Sequence, residues 1–206
     1  MKYSQNLEEE VILNYFKDYQ SGTFLSIGEN DGVTFSNVRA LSLTGKFKGV
    51  MVEPSPKAFE RLKQLYEGHK GFYTYQVAIG SHNGKGILQE SGPLCSPADI
   101  GLVSTFHQKE VERFKRTVNY SPVEVKMYTW KTFLNRLTIK EFNFVSIDVE
   151  SNEMDILPDM DLTATQLLCI EHNSNQELKK KYLDCTSKYG LDKIIYESGE
   201  NIIICR

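Results

Sequence analysis

An apolar run that empties into two glycines four positions apart constrains this chain more than any other feature. It reads Phe24-Leu25-Ser26-Ile27-Gly28-Glu29-Asn30-Asp31-Gly32, and a helix-like segment follows at residues 35–43. This is how a buried parallel strand delivers its carboxyl end to a ligand. At such a turn Gly28 would let the backbone approach a bound molecule with no Cβ in the way. The amides that open the next helix would face the same spot. A second apolar run, Val50-Met51-Val52-Glu53, ends on a carboxylate. A strand-end acid after a glycine turn is suited to gripping the two hydroxyls of a ribose. The two runs together point to a cofactor that contains adenosine.

The same turn narrows the choice of cofactor. A dinucleotide turn of the form G-x-G-x-x-G needs a glycine where this chain has Asn30, because the pyrophosphate touches the backbone there. No P-loop pattern, G-x-x-x-x-G-K-[ST], occurs. An adenosine ligand without a phosphate chain remains, which suits S-adenosylmethionine. A tight strand-to-helix turn with no ligand is the alternative, and Glu53 argues against it.

The order of elements sets the fold class. A helix with acids in its first turn is expected at residues 7–19, within an N-terminal helical region 1–20. The first strand covers 23–27, and the helix over 35–43 is closed by Gly45. The second strand covers 47–53. Pro54-Ser55-Pro56 forces an extended link, with Pro56 opening a helix that places Phe59, Leu62 and Leu65 on one face. A third strand spans 72–79, then a turn over 80–86 and a short strand beginning at Ile87-Leu88. Residues 92–122 are poorly periodic, broken by Pro93, Cys95, Pro97 and Gly101, with a charged helical piece at 108–116. Such an insertion reads as a lid or substrate-contacting loop, with disorder as the alternative. Phe106, Phe114 and Tyr120 favour an ordered flap.

Further along, a strand at 123–128 and a helix at 131–137 precede a strand at 142–148 that ends on Asp148. A helix over 152–157 should stop near Pro158. The strand 167–173 ends in Glu171-His172-Asn173, and the helix 177–189 is closed by Gly190. Segments 192–197 and 202–205 form a hairpin about Ser198-Gly199-Glu200-Asn201. Alternating strands and helices with one reversed strand at the end predict an α/β fold. The expected architecture is a Rossmann-like class I methyltransferase sandwich: a mostly parallel seven-stranded sheet with one antiparallel strand in a C-terminal hairpin.

Composition bounds the rest. With 206 residues, 40% hydrophobic and 25% charged, the chain is expected to form one globular domain over 1–206. A net charge of −3 argues against a nucleic-acid partner. The basic clusters Lys179-Lys180-Lys181 and Arg113-Phe114-Lys115-Arg116 read as solvated helix faces. No apolar run approaches the roughly 18 residues that span a bilayer, and the first residues lack a secretory apolar core. Cys95, Cys169, Cys185 and Cys205 are widely separated, with no C-x-x-C pair, which fits neither a zinc site nor a disulfide framework. A reducing cytoplasm is the expected compartment. The oligomeric state is left open.

These motifs resemble those of the FkbM family of S-adenosylmethionine-dependent methyltransferases. The anchors are Ile27 through Gly32 with Ser36-Asn37, the block from Gly49 to Pro56 with Val52-Glu53-Pro54, and Ser146-Ile147-Asp148-Val149-Glu150-Ser151-Asn152-Glu153. Glu171-His172 with Asn173 resembles the family's next strand end. The resemblance implies O-methylation of a hydroxyl on a sugar or other small natural product. Methylation of a larger polymer, glycan or RNA, and a cofactor-binding module without turnover are the alternatives. Two positions depart from the family pattern. Ser26 stands where an acid usually helps hold the cofactor's ammonium group, a contact that Glu29 or Asp148 could supply instead. Ser151 stands where a glycine is usual.

These residues have expected roles. Gly28, Glu29, Asn30 and Gly32 would shape the pocket around the methionine half of the cofactor. Glu53, beside Pro54, would take the ribose, and Ala78 and Ile79 would border the adenine. Methyl transfer to oxygen needs an aligned hydroxyl and a route for its proton, through a general base or a divalent cation. Asp148 and His172 are the candidate catalytic groups. Asp148, Glu171 and Asn173 form a hard-cation donor set, similar to the magnesium site of catechol-type O-methyltransferases. A structural role for His172 remains open, as does helix-start capping by Glu150 and Glu153.

Overall fold

The computed structural model describes residues 2–95 and 99–206; Pro97, one of the expected chain breaks, lies outside them. The N-terminal helix α1 covers Glu8–Tyr15. The strands β1 (Gly22–Ile27), β2 (Phe47–Val52) and β3 (Phe72–Tyr75) then alternate with helices α2 (Arg39–Leu43) and α3 (Pro56–Tyr66). Next come β4 (Ala78–Ile79), β5 (Gly84–Ser91), α4 (Gln108–Phe114), β6 (Tyr120–Tyr128) and α5 (Trp130–Leu134). The chain closes with β7 (Phe144–Ile147), β8 (Leu167–Glu171), α6 (Gln176–Thr186), β9 (Lys193–Glu197) and β10 (Asn201–Cys205).

Seven strands form one sheet in the order β3-β2-β1-β7-β8-β10-β9. Its pairings are parallel except at β10, which runs antiparallel to both β8 and β9. The expected mostly parallel seven-stranded sheet with a reversed strand in the closing hairpin is therefore present. Alternation along the strands feeds two cores. Leu25, Ile27, Val50, Val52, Val145 and Ile147 face one way, with Trp130 and Phe133 of α5 and Tyr182 of α6. Phe24, Phe47, Met51 and Phe144 face the other, against Ile12 of α1, Leu41 of α2 and Leu62 of α3. Helices on both faces explain why these strands read as continuous apolar runs.

Several elements differ from the sequence expectation, each for a local reason. The strand expected over 72–79 is split. The β2–β3 ladder stops after Glu53 donates its N–H to the Tyr75 carbonyl, because Pro54 has no N–H to continue it. The chain then crosses into a second sheet of order β4-β6-β5. There the expected turn at 80–86 and short strand give way to the eight-residue β5, antiparallel to β6. Gly86 makes room for a neighbour: a Cβ there would lie 2.9 Å from the Met127 methyl. Residues 120–122 belong to β6 rather than to the preceding insertion.

The helix expected over 35–43 begins only at Arg39. Side chains claim the backbone ahead of it: Asp31 Oδ1 accepts from the amides of Val33 and Thr34, and Ser36 Oγ from those of Val38 and Arg39. The helix expected over 152–157 is replaced by two 3-10 turns, Glu153–Asp155 and Leu157–Asp159, with Pro158 inside the second, where it cannot donate. α3 starts as expected, Ser55 Oγ capping the Ala58 amide with Pro56 next in line. No helix among the described residues is long and apolar enough to cross a membrane.

Phe24 and Gly49 are register partners on β1 and β2, and a Cβ on Gly49 would overlap the Phe24 ring. Gly49→Ala is expected to destabilise the fold by about 1–3 kcal/mol through overpacking. Urea unfolding checks this; an unchanged midpoint would show that the ring moves aside freely.

Candidate functional site

The carboxyl ends of β1, β2 and β7 meet at one point. Gly28 has φ +83°, and a Cβ there would overlap the carbonyl oxygen of Asp148. Its N–H and that of Glu29 both donate to the Val52 carbonyl, at 2.9 and 3.1 Å, while Asp148 N–H donates to Ile27. Only a residue without a side chain fits this junction. Gly32 has another task. Its φ is +80°, and a Cβ would lie 2.8 Å from Leu62 of α3, so it seats the loop on the helix.

Above this rim lies a cavity of about 340 Å³, within the size range of small-ligand sites. Gly28, Glu29, Asn30, Glu53, Pro54, Ala78, Ile79, Asp148, Glu171 and Asn173 all line it. Gly32 and His172 do not. His172 is buried behind the β8–β10 edge, its Nε2 3.2 Å from the Ser198 carbonyl oxygen and its N–H donating to Glu200. Asn173, at φ 47°, lines the cavity, and its side chain acts to lower the Glu171 carboxyl pKa, against the larger effect of burial.

Glu53 is presented by backbone. The amide of Asn30 donates to its Oε2 at 2.9 Å and that of Ser55 to its Oε1 at 2.7 Å. Burial pushes its pKa up to about 7, against those two hydrogen bonds. Glu29 sits beneath Ser26 and Ser36, whose hydroxyls donate to its two oxygens at 2.6 and 2.5 Å. Burial pushes Glu29 up to about 7 as well. Asp148 is raised to about 6 by burial and then by Glu8, while Glu150 and Glu171 are raised by burial and by Asp148. Six acids line the cavity, the five just described and Glu200, against a single basic side chain among the described residues, Arg113. Such a cavity favours a ligand that carries positive charge.

Some lining residues were not singled out from the sequence. Glu150, for which helix-start capping is one sequence alternative, stands in the cavity with Asp148 and Glu171; one oxygen of each lies within 4.8 Å of the others. Its placement depends on a turn in which Glu150 and Ser151 have φ of 53° and 84°, a costly conformation for residues other than glycine. Glu153 instead holds that turn from below, its Oε1 accepting from the Val149 amide. Segment 99–119 closes the other side, with Phe106 and Phe114 on the wall. It is tied to the β7 turn: Thr105 Oγ1 donates to the Glu150 carbonyl at 2.9 Å, and His107 Nε2 lies 2.9 Å from Asn152 Oδ1.

The buried Glu29 carboxyl gives a pH signature. Its pKa is about 7 in the fold against 4.5 ordinarily, so the folded state holds its proton longer. Its contribution to stability is therefore greatest below about pH 4.5, falls as pH rises towards about 7, and is flat above that. In thermal unfolding of the ligand-free protein between about pH 5 and pH 8, Glu29→Gln should lose less Tm than wild type over that interval. Equal losses would contradict the shift.

Comparison with known proteins agrees with this geometry. A family model described as the methyltransferase FkbM domain matches residues 26–191. Among solved structures, the chain is similar to an FkbM methyltransferase from Methylobacillus flagellatus KT, with 11% identity and a TM-score of 0.54 over 91% of this chain. The chain spans only 44% of that protein's length. It is also similar to precorrin-6y C5,15-methyltransferase from Geobacter metallireducens GS-15, with 10% identity, a TM-score of 0.50, and 100% and 90% of the two chains covered. The Methanococcus jannaschii fibrillarin pre-rRNA processing protein matches at 10% identity and a TM-score of 0.50, covering 97% of this chain and 76% of its own. A search of curated proteins by sequence returned no match. At such identities the structural likenesses speak for the fold, while the family match spans most of the chain. This chain belongs to the FkbM methyltransferase family and has the class I methyltransferase fold.

Proposed function

We propose that the chain binds S-adenosylmethionine in this cavity and methylates a hydroxyl on a sugar or other small natural product. The observation that carries the reading is Glu53: a buried strand-end carboxylate, fixed by two backbone amides, facing a cavity whose charge suits a cation. Its remaining lone pairs suit the two ribose hydroxyls. Ala78 and Ile79 offer apolar surface for an adenine. Glu29 brings a carboxylate to the place where Ser26 departs from the family pattern, with the Ser26 hydroxyl orienting it. The donor set fits a sulfonium nucleoside better than a dinucleotide, because Asn30 and the carboxylates leave no cradle for a pyrophosphate.

When bound, the cofactor supplies an activated methyl group on a good leaving group. What the protein must add is alignment, exclusion of water and a path for the acceptor's proton. Asp148, at the end of β7 beside Gly28, would accept a hydrogen bond from the acceptor hydroxyl and take its proton. Its pKa of about 6 leaves it largely ionised at neutral pH, yet closer to the working range than an exposed aspartate. Phe106 and Phe114 on segment 99–119 would screen the reaction from water as the wall of a lid. His172, behind the sheet edge, has a structural part in this account. The acceptor class rests on the family resemblance.

Isothermal calorimetry with S-adenosylmethionine, followed by a methyl-release assay across hydroxyl acceptors, tests the proposal. Glu53→Ala should weaken cofactor binding by on the order of 1.5–3 kcal/mol, the range for hydrogen bonds to a charged group; unchanged affinity would remove the ribose role. Asp148→Asn should depress kcat well beyond any change in cofactor affinity. An equal fall in both would make Asp148 a cofactor residue instead. Binding without turnover on any acceptor would favour a cofactor-binding module.

A further inference from the structure

One oxygen from each of Asp148, Glu150 and Glu171 converges on a common point, the three lying within 4.8 Å of one another. Like charges this close repel strongly where water is scarce. No lysine or arginine forms an ion pair with any of them among the described residues. Three carboxylates alone do not make a binding site, but an unpartnered amide oxygen belongs to the same cavity, on the residue paired with Glu171. Asn201 lies directly opposite Glu171 in the antiparallel β8–β10 register, so both side chains leave the same face of the sheet. It lines the same cavity and is 4% exposed. Its Nδ2 donates to Glu8 at 3.4 Å, while its Oδ1 is buried without any hydrogen-bond partner. A buried acceptor with no donor is destabilising. A cation is a partner that this oxygen and the three carboxylates can share.

We propose that Asp148, Glu150, Glu171 and Asn201 Oδ1 form a site for a hard divalent cation. Four oxygens, three of them carboxylate, are the donor chemistry that magnesium, manganese and calcium prefer over softer metals. Ligand oxygens around one ion are separated by at most twice the metal–oxygen distance, about 4.2 Å for magnesium and about 5 Å for calcium. A spread of no more than 4.8 Å fits the larger ion and needs only a small closure for the smaller. The ligand set differs from the one expected at the strand ends. Asn173 is replaced in the set by Asn201, and Glu150 provides the third carboxylate. The turn that carries Glu150 is itself held by Thr105 and by Glu153. The inference stands on these oxygens and does not need the methyl donor.

The test titrates manganese chloride into purified, metal-stripped protein without any nucleoside, following free Mn²⁺ by electron paramagnetic resonance. Wild type is expected to bind one equivalent saturably, with calcium chloride competing. Glu150→Gln should weaken binding at least about tenfold and Asn201→Ala by a smaller factor, while Glu67→Gln, an exposed acid outside the cavity, should bind like wild type. Circular dichroism confirms that each variant is folded; should one fail to fold, the wild-type stoichiometry still decides. Absence of a saturable site in wild type would overturn the proposal. So would wild-type affinity in folded Glu150→Gln, or equal losses in Glu150→Gln and Glu67→Gln. Because no nucleoside is present, such a failure would leave the donor-site reading untouched, and a failure there would leave this one standing.

Discussion

A side chain on residue 28 would collide with the carbonyl oxygen of Asp148, and the missing atom is what brings two strand ends together. With Gly28 in a left-handed turn, its amide and that of Glu29 reach back to Val52 while Asp148 reaches to Ile27. Three neighbouring strands, β2, β1 and β7, are thereby locked at their carboxyl ends. Their terminal acids are then forced into one cavity: Glu29 from the turn, Glu53 from β2 and Asp148 from β7. The architecture of the rim follows from this junction, since a parallel sheet places all such ends on one side.

Crowding acids in this way is unfavourable in the empty protein. Burial raises Glu29, Glu53 and Asp148 towards neutral pH, and the backbone and hydroxyl donors around them relieve only part of the cost. The cost is recovered when a positively charged ligand enters, which makes binding and local stability two readings of one electrostatic arrangement. Further strain lies in the turn of Glu150 and Ser151, where φ is positive without glycine and where Thr105 and His107 of the neighbouring segment fasten the turn in place. The wall of the cavity and its acidic floor are thus mechanically joined.

Much of this was legible in the sequence, for identifiable reasons. Strands buried on both faces produce apolar runs, so β1, β2, β7 and β8 stood out, as did the acids Glu53, Asp148 and Glu171 at or just beyond their ends. β5 was obscured because Gly84, with φ +141°, and Gly86, which makes room for Met127 of β6, look like turn residues in isolation. Apolar spacing puts the start of α2 too early because Asp31 and Ser36 bond the backbone ahead of it, a competition that spacing does not reveal. Glu150 and Asn201 were beyond reach for another reason. The first is aimed by positive dihedrals that non-glycine residues rarely adopt, and the second by the antiparallel register that sets it opposite Glu171.

The account depends most on where an adenosine ligand sits. A crystal structure of the protein with S-adenosylhomocysteine would test this most directly. The account predicts both ribose hydroxyls on the Glu53 carboxylate, the adenine beside Ala78 and Ile79, and the amino-acid end towards Gly28 and Glu29. A nucleoside bound elsewhere, or a rim that stays closed by the protein's own side chains at saturating ligand, would contradict it.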